Sequence, residues 1–243
     1  MPIIYADSSD GYRGATNQSS WANARDATSA TGGSTVSTQT TVFTAVARST
    51  GRGGGTVYTV YRSFMFFDTS GITGNVASAT LSIRGAYAND GSVIAVKSTA
   101  FGGDGGTALS NDDFDAISGW SAGSSLAGSA TVYGSQILTS NWSMTGYNDF
   151  TATSDLLTDM KNNNVVIICF MDYTNDYLNS ALTSSVFLNA GGTYTNYTGT
   201  SRDPKIDYTL ATGYGNAVNG IAAANISKVN GIATASISKV NGI

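Results

Sequence analysis

The residues able to do chemistry in this chain are few, and they are nearly all aspartates. Histidine is absent, so Ser-His-Asp, Cys-His and zinc-histidine arrangements are excluded. All 16 acidic residues are Asp, with no glutamate anywhere. The densest groups are Asp112, Asp113 and Asp115 in Asn111-Asp112-Asp113-Phe114-Asp115, and Asp172 with Asp176 in Asp172-Tyr173-Thr174-Asn175-Asp176. Paired carboxylates at such spacing are what glycoside hydrolysis would require. Oxygen ligation of calcium is the other chemistry they offer, although no EF-hand spacing is present. Against both stands the ordinary use of Asp in turns, where the carboxylate bonds the backbone two or three residues on. That use predicts a non-enzyme, with a histidine-free glycosidase as the outlying alternative and no cofactor implied. The single thiol, Cys169, lies inside Val165-Val166-Ile167-Ile168-Cys169-Phe170 and reads as core rather than nucleophile.

Sugar recognition needs aromatic faces beside amides. Trp21, Trp120 and Trp142 are the candidate platforms, together with the pairs Tyr173/Tyr177 and Tyr194/Tyr197. Their competing role is to close the ends of a sandwich. Gly51 to Gly55 lacks the Gly-Lys-Ser/Thr ending of a phosphate loop. Arg48 to Arg52 carries only two charges in a glycine-rich stretch, and the net charge is −4, so no nucleic acid partner is expected. No stretch reaches membrane-spanning length, and no membrane partner is expected either.

The elements that must position these residues are strands. Only 12% of the 243 residues are charged, and 29 are glycine against 2 proline. That composition suits strands and tight turns with a hydroxyl- and amide-rich surface. Ala79 to Arg84 and Lys205 to Leu210 alternate apolar and polar residues, and Thr56 to Phe67 is β-branched and aromatic up to a turn at Asp68 to Gly71. Val165 to Met171 is apolar on both parities, as in a strand covered on both faces. Weaker strands are predicted at Thr41 to Ala47, Val93 to Lys97, Thr131 to Ile137 and Val186 to Leu188. One short helix is expected at Ser154 to Lys161, capped by Ser154. The predicted fold is all-β, a jelly-roll-type antiparallel β-sandwich over residues 1–210, with a linker at 211–217 and a repeat tail at 218–243. The opening Met1-Pro2-Ile3-Ile4-Tyr5 has no basic, then apolar, leader pattern, which predicts a chain not exported by the ordinary secretory route.

Tyr61-Arg62-Ser63-Phe64-Met65-Phe66-Phe67-Asp68, Ile72 and Ala77-Ser78-Ala79-Thr80-Leu81-Ser82-Ile83 resemble the core of DNRLRE-type, carbohydrate-binding-module-like jelly rolls. Phe150-Thr151-Ala152-Thr153 continues the pattern. Arg202-Asp203-Pro204-Lys205-Ile206-Asp207-Tyr208 is similar to that family's closing strand. The resemblance spans about residues 5 to 210 and rests on structural motifs. It implies a module of the kind found on cell surfaces, in secreted proteins and in phage virions, some of which bind polysaccharide.

The tail is organised differently. Val218-Asn219-Gly220-Ile221 recurs at Val229 to Ile232 and at Val240 to Ile243, and Ile226-Ser227-Lys228 recurs at Ile237 to Lys239, a period of eleven. Asn-Gly favours a hairpin in which Val229 faces Ile232 and Ile221 faces Val240. An eleven-residue period instead suits a helix, with a right-handed supercoil and Val218, Ile221, Ile226, Val229, Ile232, Ile237, Val240 and Ile243 on one side. A glycine per repeat costs that helix about 1 kcal/mol each. Both conformations leave an apolar stripe in search of a partner, so these eight residues are the expected anchoring set. The repeat resembles endings of bacteriophage structural and adhesin-like proteins. The expected role is a non-enzymatic virion structural protein (capsid decoration or fibre), with other capsid or tail proteins and further copies of itself as partners. The alternative is a carbohydrate-binding module at a cell surface or outside the cell, with a host surface glycan as ligand.

Overall fold

A computed structural model describes residues 1–7, 9–35, 40–51, 53–195, 202–211, 228–229 and 232–233. Fourteen strands are described: β1 (Ile3–Tyr5), β2 (Gly11–Gln18), β3 (Gly32–Thr35), β4 (Thr40–Thr50), β5 (Thr56–Asp68), β6 (Val76–Asn89), β7 (Ser92–Lys97), β8 (Val132–Leu138), β9 (Tyr147–Thr151), β10 (Val165–Asp172), β11 (Val186–Thr195), β12 (Lys205–Leu210), β13 (Lys228–Val229) and β14 (Ile232–Ala233). Every ladder between them is antiparallel. The all-β antiparallel sandwich expected from the alternating segments is what the structure shows.

The sandwich is built on two long strands. The first half of β6 carries β12 and β9 on its two edges, and β1 lies outside β12. Its second half passes to β11, which pairs β4. β5 pairs β2 along one edge; along the other it pairs β4 and then β10, followed by β7 and β8. Between the layers, Met65 and Phe67 of β5, Ile168 and Phe170 of β10, Leu81 and Ile83 of β6 and Phe150 of β9 form one core. Phe64, Phe66, Ile167, Cys169 and Met171 point the other way into a second core. This explains the double-parity apolar run: β10 is a central strand buried on both faces. Cys169 is fully buried there, as its setting predicts, and burial pushes its thiol pKa up.

What covers that outer face is residues 98–131, a long crossover from β7 to β8 containing only short 3-10 turns. Phe101, Leu109, Phe114, Ile117 and Leu126 are its buried anchors. A buried crossover of this kind must satisfy its backbone carbonyls, and arginines do so. Arg13 of β2 donates from Nε to Ser110 O at 2.8 Å and from Nη2 to Leu109 O. Arg62 of β5, wholly buried, donates to Phe114 O at 2.8 Å and to Arg25 O at 2.8 Å, and grips the Asp176 carboxylate in a fork of 2.8 and 2.7 Å.

Two helical details differ from expectation. The predicted helix is α2 (Ser154–Asn162), but its cap is Thr153, whose hydroxyl accepts from Leu156 N, one residue before the expected Ser154. A second helix, α1 (Trp21–Arg25), is capped by Ser20 and delivers Arg25 to the crossover. At five residues it is too short for hydrophobic periodicity to announce it. In the tail, Val229 pairs with Ile232 and Lys228 with Ala233, the register of the hairpin alternative. Val218, Ile221, Ile226, Ile237, Val240 and Ile243, like linker residues 212–217, lie outside the described residues.

Removing one partner of a buried ion pair leaves the other uncompensated and costs about 3–5 kcal/mol. Arg62→Met and Asp176→Asn should each destabilise the domain by that much in urea unfolding followed by tryptophan fluorescence. A loss below about 1 kcal/mol would show that the pair is not what holds the crossover down.

Candidate functional site

The sequence-predicted carboxylates are built into the fold. Asp176 is fully buried in the Arg62 fork, with Arg25 Nε donating to its carbonyl at 2.8 Å. Asp172, also fully buried, caps the π-type turn Tyr173–Tyr177 by accepting from Asn175 N at 2.6 Å. Burial, reinforced by neighbouring Asp176, raises the Asp172 carboxyl to about 6. Asp113 closes a capping box with Ser110 at the 3-10 turn Asn111–Asp113. Asp115 is partly buried, and burial raises its pKa. Asp112 is exposed. Among the described residues, no three His, Cys, Asp or Glu side chains gather as a metal-holding group.

The tryptophans are not assembled into one platform. Trp21 is 9% exposed and donates from Nε1 to Asn179 Oδ1 at 2.9 Å; Trp142 is 7% exposed in the inter-sheet core. Neither offers an open face, because each fills space between elements, as the sandwich-closing role requires. Trp120 is half-buried, with the guanidiniums of Arg62 and Arg25 at 4.3 and 4.6 Å from its ring centroid. Gly119 sets it there: its φ of +79° is a left-handed turn, and a Cβ would meet Ser129 O at 2.0 Å. Tyr173 and Tyr177 stack at 5.5 Å, with Tyr177 buried. Tyr197 of the other pair lies outside the described residues.

A concave site that motif reading missed lies where β7, the start of the crossover and the end of α2 meet. It is a groove of about 710 Å³ lined by Lys97, Ser98, Thr99, Gly103, Asp104, Asn162, Asn163, Asn164 and the edges of Tyr133, Val165 and Ile167. Lys97 Nζ donates to Asp159 Oδ2 at 2.8 Å, and the buried Tyr133 hydroxyl donates to the same oxygen at 2.5 Å. Burial alone would raise Asp159, but the bonds from Lys97, Tyr133 and Asn163 outweigh it and hold the carboxyl below its ordinary value. Burial, and then the bond to Asp159, push the Tyr133 phenol far up. The lysine and aspartate neutralise each other, leaving a rim of amides and hydroxyls with one exposed carboxylate, Asp104. Asn162-Asn163-Asn164 was legible only as a helix stop. No feature of that triplet says that Ser98 and Thr99, more than sixty residues earlier, will face it.

No protein-family model matches this chain, and no curated protein matches its sequence.

The pH dependence of Asp172 follows from its raised value. The native state holds its proton up to about pH 6, whereas the unfolded chain releases it near 4. The stability this proton contributes is therefore complete below about pH 4 and is lost as pH rises through 6. Asp172→Asn keeps an acceptor for Asn175 N without the charge. From pH 4 to 7 the variant should gain on the parent by roughly 3 kcal/mol, the value of a shift of about two units. Parallel urea titrations check this, and curves that keep a constant separation would refute it.

Proposed function

We propose that this chain is a non-enzymatic structural component of a bacteriophage particle, a capsid-decoration or fibre module whose β-sandwich faces outward and whose repeat tail attaches it. The observation that carries the reading is the tail: one eleven-residue unit, recurring after the sandwich, with two lysines as its only charges. The positions of the carboxylates support it. Asp172 and Asp176 are withdrawn from solvent, and Asp113 is spent on a cap, so the best-spaced acids serve the fold. Complete burial of one valine or isoleucine is worth about 1.5–3 kcal/mol. Eight such residues could hold a subunit on a large assembly, and symmetric repetition would add avidity.

A chain ending at Ala211 should keep the sandwich, with a far-ultraviolet circular dichroism spectrum still dominated by β-structure, and fail to incorporate into particles. Replacement of Ile226, Val229, Ile232 and Ile237 by Ser should act in the same way. Co-sedimentation with particles measures this. Equal incorporation of full and truncated chains would assign attachment to the sandwich itself and sink the reading of the tail.

The groove favours a second reading, a glycan-binding module. Beside the Lys97–Asp159 pair, its amide and hydroxyl rim offers hydrogen bonds to the hydroxyls of a polysaccharide, with Asp104 as a further acceptor. On that reading, Asn162→Ala with Asn164→Ala should weaken binding about thirtyfold, two hydrogen bonds of roughly 1 kcal/mol each. A glycan array followed by titration calorimetry measures it, and an array without hits leaves the structural role alone.

A further inference from the structure

The sandwich is left open between β8 and β9. Among the described residues, β8 has a ladder only with β7 and β9 only with β6. Just past β9, a bridge from Ala152 to Gly134 and a bond from Thr153 N to Tyr133 O at 3.0 Å cover the first part of the β8 edge. Among the described residues, Ser135 to Leu138 have no second strand beside them. Gly134 permits that closure, since a Cβ there would meet the Phe150 Cβ at 2.7 Å. Immediately beyond it the β7–β8 register shifts: Ala95 faces Gly134 but Val93 faces Ile137, so β8 carries an extra residue. Such a bulge bends its strand, and here β8 and β9 part around a groove of about 480 Å³. Gln136, Ile137 and Leu138 form one bank, and Tyr147, Asn148 and Asp149 the other.

Exposed strand edges are normally blunted by charge or proline. Val132–Leu138 contains neither, and Leu138 is 46% exposed. This is the edge an extended segment adds to in β-augmentation.

The chain itself supplies such a segment. β13 and β14 form a separate two-stranded ribbon, and a ribbon of that size is marginal in water without further partners. Its charge is complementary: the repeats carry Lys228 and Lys239 and no acid, while every aspartate lies at or before Asp207, with Asp149 on the groove's bank. β12 points the tail away from its own groove, so a copy's own tail reaches it only by doubling back through the 17 residues between Leu210 and Lys228. The strand runs from Lys205 beside Ser82 to Leu210 beside Val76, whereas the groove's Tyr147 pairs Arg84. Eight residues of β6 separate those points, roughly 26 Å.

We propose that the β8–β9 groove receives the repeat ribbon of a second copy of this chain, which pairs with the open edge of β8. The inference rests on reading the tail as an assembly element, and it adds the surface that the tail recognises. The test uses three proteins: the full chain, a full-length Gln136→Lys/Leu138→Lys variant, and the chain ending at Ala211. Circular dichroism establishes that all three are folded. In sedimentation velocity the full chain should self-associate, and each variant alone should be monomeric. Mixing the two variants should restore a heterodimer, because the tail-less chain keeps the groove and the lysine variant keeps the tail. A synthetic peptide of residues 226–243 should bind the tail-less chain, and the lysine pair placed in that background should weaken binding at least tenfold. Self-association that survives the lysine pair, or variants that do not complement, would overturn the proposal. The outcomes separate from those of particle attachment. Loss of incorporation on truncation without dependence on β8 sinks only this inference. Peptide binding at β8 with undiminished incorporation of the tail-less chain sinks only the attachment reading.

Discussion

The guanidinium of Arg62 is the point on which the outer half of this molecule is assembled. It sits on a central strand, fully buried, and reaches three separate pieces of chain: the Asp176 carboxylate in the turn after β10, the Phe114 carbonyl in the crossover, and the Arg25 carbonyl at the end of α1. The Phe114 ring lies 4.1 Å from the same guanidinium. A planar donor fork can satisfy a carboxylate and two carbonyls at once, which a lysine ammonium could not do with the same geometry. The arrangement lets an irregular segment lie over an apolar sheet face without stranding its backbone polar groups.

The cost of that solution is visible in the charge distribution. The chain has 12 basic residues, and Arg13, Arg25 and Arg62 are spent inside, each on backbone carbonyls. Asp172 and Asp176 are spent inside as well. Little charge is then left for the surface, and each candidate groove offers chiefly amides and hydroxyls with a carboxylate at its edge, Asp104 in one and Asp149 in the other. With a net charge of −4 over 243 residues, long-range repulsion between copies of the chain is weak.

The parts of the fold that were legible in the residues are those governed by short-range periodicity. β5, β10 and β12 declare themselves by alternation or by a doubly apolar run, and Cys169 is read correctly as core from its neighbours alone. β2 was not anticipated, because Gly11-Tyr12-Arg13-Gly14-Ala15-Thr16 has no apolar alternation; its burial comes from the crossover and helix that fold over it. The Arg62–Asp176 pair spans 114 residues and the Arg62–Arg25 contact 37, separations at which no local pattern exists. The same limit hid the groove between Ser98 and Asn164. It also made Asp172 and Asp176 look available, since their spacing suits catalysis as well as it suits capping and pairing.

The first strand lies against the last. Ile3 faces Asp207 and Tyr5 faces Lys205, and β12 is flanked by β1 on one side and β6 on the other. Running in opposite senses, the start of β1 and the end of β12 occupy one corner of the sheet. A tensile load entering through residue 210 and leaving through residue 3 therefore pulls on adjacent ends of a single ladder. Its rungs would be opened in succession, as a zipper, rather than strained together in shear. Loaded at those two points, the domain would yield first at that corner, one rung at a time.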